Sequence, residues 1–147
     1  MVRLRPGWLV ALCAAVIVIS GWLPWLTTAA NGGGHASAIG GTVGSLELPH
    51  RFGAGQLIVL LASTLIVAGA MAARGLSPRT AAMAAFAISL TIGALTVWYF
   101  RLNVHGVVAA GYGLYIGGAA SIGAVVFAVW AVFAAWAAAR TGVQAVR

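Results

Sequence analysis

Arg74-Gly75-Leu76-Ser77-Pro78-Arg79-Thr80 is a short polar stretch between two apolar runs. Residues 56–73 lie before it and residues 81–100 after it, eighteen and twenty residues with no Asp, Glu, Lys, Arg or His in either. A helix rises 1.5 Å per residue, so twenty residues reach roughly 30 Å, the hydrocarbon thickness of a bilayer. Eighteen residues are near the short limit for a crossing. The stretch therefore reads as the turn of a membrane-spanning helical hairpin. Arg74 closes the first run, and Ser77-Pro78 supplies an N-cap and a first helical residue for the second.

Composition points the same way. The chain has 147 residues, 63% of them hydrophobic and 6% charged, whereas soluble domains carry about a quarter charged residues. Nine charges cannot cover a water-facing surface, so the solvent of this chain is lipid. The single cysteine, Cys13, excludes an intrachain disulfide and reads as a small apolar residue.

Two further runs have spanning length. Residues 7–26 follow a basic leader with Arg3 and Arg5, begin after Pro6, and carry Trp8 at one end and Trp22 and Trp25 at the other. That distribution matches the aromatic belts of a membrane interface, and Pro24 ends or kinks the helix. A secretory signal peptide has a similar layout, with Thr28-Ala29-Ala30 as a cleavage site. The run is long for a signal core, so a retained helix is expected. Residues 114–139 form the fourth run, roughly 39 Å as helix, which must tilt or protrude. Between the spans lie a long polar loop (residues 27–54), a short loop (residues 101–113) and a basic tail (residues 140–147). The long loop holds the flexible tract Asn31-Gly32-Gly33-Gly34, and its residues 42–48 alternate enough for a short strand or hairpin.

Arginine counts orient the chain. Arg3, Arg5, Arg74, Arg79, Arg140 and Arg147 fall on one side, Arg51 and Arg101 on the other. By the positive-inside rule the arginine-rich side is cytoplasmic. Both termini are then inside the plasma membrane, the long loop outside. The arginines are scattered singly, which fits topology signals rather than nucleic-acid binding.

Helices in lipid associate through small residues that let backbones approach. Ala81, Ala85, Ser89 and Gly93 recur every four residues in the third span. Gly113, Gly117 and Ser121 do so in the fourth, with Ala120, Ala124 and Ala128 beside them. These stripes are expected to pack against each other, against the first two spans or against a partner. The expected fold is an all-α membrane protein, a left-handed four-helix bundle.

Catalysis or proton coupling at membrane depth needs ionisable groups there, and no Asp, Glu, Lys, Arg or His lies in the four runs. The candidates sit on the outer side: His35, Glu47, His50, Arg51, Arg101 and His105. Glu47-Leu48-Pro49-His50 has the spacing of a di-iron helix, but Pro49 opposes a helix there. Scattered loop histidines are more often plain polar residues than zinc ligands. The expectation is no catalytic residue, no cofactor and no metal. Glu47 paired with Arg51 or Arg101 would tie the long loop to the bundle, worth at most about 1 kcal/mol if exposed. Trp22, Trp25, Trp98 and Tyr99 read as interface anchors.

Gly21-Trp22-Leu23-Pro24-Trp25, the glycine-rich loop and Gly111-Tyr112-Gly113-Leu114-Tyr115-Ile116-Gly117-Gly118 together resemble small four-span membrane proteins of actinobacterial type. That resemblance implies four helices and brings no catalytic residue. The layout, a long first outer loop and a short second, is also similar to the claudin arrangement, without its Trp-Gly-Leu-Trp motif or paired cysteines. The expected function is a non-enzymatic accessory or scaffolding subunit of a larger cell-envelope complex, a transporter or a lipid- or cell-wall-handling assembly. The alternative is a small lipid-binding or transport protein, monomeric or homo-oligomeric, with a site between Trp22, Trp25, Arg101 and the outer loop.

Overall fold

The computed structural model describes residues 5–45 and 53–144, with side chains described as far as Thr141. The 74–80 turn joins two long helices, α2 (Ala54–Arg74) and α3 (Pro78–Asn103). Its geometry shows why this sequence stops one helix and starts the next. Gly75 takes φ +77°, a left-handed conformation that costs a glycine little. From there the Gly75 N–H reaches the Ala72 carbonyl (3.3 Å) and the Leu76 N–H reaches Met71 (3.0 Å), satisfying two carbonyls that α2 leaves open. Pro78 is the first residue of α3, as expected. Ser77 sits at the N-cap position, but its side chain makes no capping bond and its φ is +45°. Its carbonyl instead accepts from Ala81 N (2.9 Å) and Thr80 Oγ1 (3.0 Å).

Two more helices complete the frame: α1 (Pro6–Ser20) and α4 (Tyr112–Gln144). Neighbours pack in a closed ring, α1 on α2, α2 on α3, α3 on α4 and α4 on α1. The buried positions recur at helical spacing: Val10, Ala14 and Ile17 on α1; Ile58, Ala62 and Leu65 on α2; Ala85, Ser89 and Ile92 on α3; Ala124, Ala128 and Ala131 on α4. Small residues dominate, so the axes approach closely. At the α1–α2 crossing a Cβ on Gly7 would lie 2.6 Å from Ala73 N, and one on Gly69 would lie 2.9 Å from Gly7 O. The large apolar side chains Leu12, Leu60, Leu90, Ile122 and Phe133 point outward and are exposed. Three helices, α2, α3 and α4, are long and apolar enough to cross a membrane.

The first helix corrects the expected span over residues 7–26. It stops at Ser20, fifteen residues or roughly 22 Å, because the chain turns at Gly21 and enters strand β1 (Pro24–Thr28). The all-α expectation is corrected too. A four-stranded antiparallel sheet caps the end of the ring opposite the 74–80 turn, in the order β3-β2-β1-β4. Its other strands are β2 (Gly34–Ser37), β3 (Thr42–Gly44) and β4 (Val108–Ala110). Thus the Gly-rich tract is not a loose tether: a short 3₁₀ turn (Ala30–Gly32) leads into β2. The short second loop contributes β4, which pairs Leu26 with Ala110 and Thr28 with Val108. Of the short strand or hairpin expected over residues 42–48, Thr42–Gly44 forms β3, and residues 46–48 lie outside the described residues.

The cap is fastened to α2. Gln56 Oε1 accepts from Gly53 N (3.1 Å), and Gln56 Nε2 donates to Ile39 O (3.0 Å). A Cβ on Gly55 would collide with the Ala38 carbonyl, so the hairpin rests directly on the α2 backbone.

Candidate functional site

The most specific local structure lies under the cap. β1 carries a bulge between Pro24 and Leu26, where the pairing with β2 shifts register. A bulge breaks the alternation of a strand and re-aims a side chain. Here it sends both Trp25 and Leu26 inward, with exposures of 0% and 2%. The Trp25 indole lies above the end of α1 and its Nε1 donates to the Ser20 carbonyl at 2.7 Å. The Ser20 carbonyl also accepts from Leu23 N (3.0 Å), so the indole adds a second bond at the end of the helix. Ser20 Oγ donates in turn to Ile17 O (2.7 Å).

Space for the indole comes from α4. A Cβ on Gly113 would stand 2.9 Å from Trp25 Cδ1, and one on Gly117 would stand 3.0 Å from Trp25 Cζ2. The small-residue stripe of α4 therefore packs on α1 and β1, with Gly113, Gly117 and Ser121 all turned to the interior. From α3, Tyr99 meets the indole edge-on, centroids 5.2 Å apart at 86°. Tyr99 is 5% exposed, and its Oη has no hydrogen-bond partner among the described residues.

This arrangement corrects two of the four expected interface anchors. Trp25 and Tyr99 are core residues, held inward by the bulge and by the two α4 glycines. Trp22 and Trp98 are exposed, each at 62%. The expected small-molecule site between Trp22, Trp25 and Arg101 does not form around Trp25. Arg101 borders a different feature, a surface depression on α3 alone lined with Ala94, Val97, Trp98 and Leu102.

Of the six outer-side polar residues, His35, Arg101 and His105 are described. His35 is exposed on β2, and His105 is exposed between α3 and β4. Glu47, His50 and Arg51 lie outside the described residues. Among the described residues no three His, Cys, Asp or Glu side chains stand close enough to hold a metal ion.

The third-span stripe divides in two. Ala81, Ala85 and Ser89 are buried within the ring, at 5%, 1% and 0% exposure. Gly93 departs from it: a Cβ there would meet nothing within 4 Å. It borders an outward groove of about 370 Å³ between α3 and α4, with Thr96, Val97, Gly118, Ile122 and Val126. Farther toward the turn end, the same two helices form a second groove of about 290 Å³ between Met83, Phe86, Val129 and Phe133. Gly118 is as open as Gly93, its nearest neighbour being Thr96 Cγ2 at 4.0 Å. The chain thus has glycines that its own packing uses and glycines that it leaves facing out.

Sequence reading missed the two contacts that set α1 on α2, Gly7 and Gly69. A signal was present, since Gly7-x-x-x-Ala11 and Gly69-x-x-x-Ala73 have the same four-residue small spacing as the stripes on α3 and α4. Comparison of the chain with protein-family models, with curated proteins and with solved structures finds no match in any of the three.

Proposed function

We propose that this chain is a non-enzymatic accessory subunit of a larger assembly in the plasma membrane, and that its α3–α4 face receives a helix of the partner. In this reading the chain crosses four times, with both termini and the 74–80 turn in the cytoplasm and the sheet outside. The observation that carries it is the open pair Gly93 and Gly118 in an apolar groove. Glycine inside a helix is unfavourable by about 1 kcal/mol against alanine, so one with nothing packed on it is a position kept small for something else.

The short α1 is compatible with a fourth crossing. Non-helical backbone at membrane depth is tolerated where protein buries it. Here β1 is paired on both sides, by β2 and β4, and Trp25 covers the end of α1.

The test is purification of the tagged protein from its native host in gentle detergent, with mass spectrometry of what accompanies it. A larger membrane protein at fixed stoichiometry is expected, and Gly93→Leu is expected to lose it while the isolated chain melts no lower. A lone protein whose Gly93→Leu form behaves as the wild type in every respect would contradict the proposal. The basic cavity described next favours a second reading, a small lipid-binding protein.

A further inference from the structure

The end of the ring at the 74–80 turn holds a half-open pocket of about 340 Å³. Its walls come from α1, α2, α3 and α4: Gly7, Ala72, Pro78, Ala131, Ala135 and Ala138. Arg5 stands at its lip and donates from Nη1 to the Ala73 carbonyl at 2.8 Å. That bond fixes the guanidinium, which has five N–H donors in a planar fork, and leaves others for a ligand. Arg74 closes α2 and Arg79 begins α3 at the same end, Arg79 lying over the Trp136 ring at 5.6 Å. Arg140 follows Trp136 by one turn of α4. The described residues contain no Asp or Glu, so the arginines of this end have no side-chain carboxylate among them to balance their charge.

We propose that this cavity binds one anionic phospholipid, its phosphate on Arg5 at the lip and the start of an acyl chain on the alanine walls. Three properties combine to choose that occupant. The volume is at the lower end of the roughly 300–1,000 Å³ of small-molecule sites. The walls are apolar while the lip is cationic, which matches an amphiphile and not a free anion. Arginine is the side chain whose fork matches phosphate oxygens bidentately. The inference is independent of a helix partner on the α3–α4 face.

The experiment places the purified full chain in bilayer discs of equimolar phosphatidylglycerol and phosphatidylcholine, releases it in gentle detergent, and counts retained lipids by native mass spectrometry. Wild type is expected to keep one phosphatidylglycerol in preference to phosphatidylcholine. Arg5→Gln is expected to lower that preference about fivefold, the effect of one arginine near a charged membrane surface. Ala135→Leu fills the cavity while leaving every arginine in place, and is expected to lose the retained lipid; Ala138→Leu, at an exposed position, does the same if the first variant misfolds. Arg101→Gln, at the other end of the chain, is expected to change nothing. Equal retention of the two lipids would overturn the proposal. So would normal retention in both cavity-filling variants, which would reduce the effect to surface charge, or displacement by inorganic phosphate alone, which would make it a bare anion site.

Discussion

At the scale of single residues, Trp25 and Tyr99 form a pair with opposite sensitivities. Trp25 fills the space above α1 and gives the Ser20 carbonyl a second hydrogen bond beside that from Leu23 N. Removing the ring in Trp25→Ala is expected to destabilise the protein by about 3–5 kcal/mol, as for other buried large-to-small changes. Trp25→Phe keeps most of the volume and loses one of the two bonds to the Ser20 carbonyl, for about 0.5–1.5 kcal/mol. Tyr99 packs against the indole at a near-perpendicular angle, while its hydroxyl is buried without a partner among the described residues. Tyr99→Phe is therefore expected to be neutral or stabilising. Thermal unfolding in detergent compares the three; a Tyr99→Phe loss as large as that of Trp25→Phe would mean that the hydroxyl is bonded. This pair also marks where sequence reading stops. Trp22-Leu23-Pro24-Trp25 places two tryptophans three apart, and on a helix both would face one way. A strand bulge separates them, one outward and one inward, and no local pattern announces it.

At the scale of elements, what distinguishes the glycines is what stands opposite each. Gly69 has the backbone of α1 against it and Gly93 has open space. Gly69→Leu is expected to push α1 off α2 and cost about 1–3 kcal/mol or more, because backbone cannot yield as a side chain can. Gly93→Leu is expected to leave the isolated protein as stable as before, or more so by about 1 kcal/mol from helix propensity. Unfolding of both variants under the same detergent conditions checks the contrast, and equal losses would place Gly93 in the packed interior. The hairpin of α2 and α3 was legible because its signals are local: two apolar runs, a polar turn, and proline after it. The sheet was not. β1 and β4 pair across some eighty residues of chain, and three-residue strands such as Val108–Ala110 carry too little alternation to be seen. The glycine and alanine stripes were visible, but the same abundance that makes close packing possible hides which glycine faces which neighbour.

For the whole molecule, the two ends differ in chemistry. One end carries Arg5, Arg74, Arg79 and Arg140, and the other carries a small sheet with few charges among its described residues. The sheet's edge strands are β3 and β4; in the proposed orientation these edges face water, while β1, paired on both sides, lies deeper. The proposed orientation joins this polarity to the positive-inside rule: arginines in the cytoplasm, sheet outside. Cysteine accessibility tests it directly. In a Cys13→Ala background, Val43→Cys on β3 and Ser77→Cys in the turn give one probe at each end, both at exposed positions. A membrane-impermeant maleimide applied to intact cells is expected to label the cysteine at position 43 and to spare that at position 77 until the membrane is opened. The reverse pattern, or labelling of both in intact cells, would contradict the topology on which the rest of the account stands.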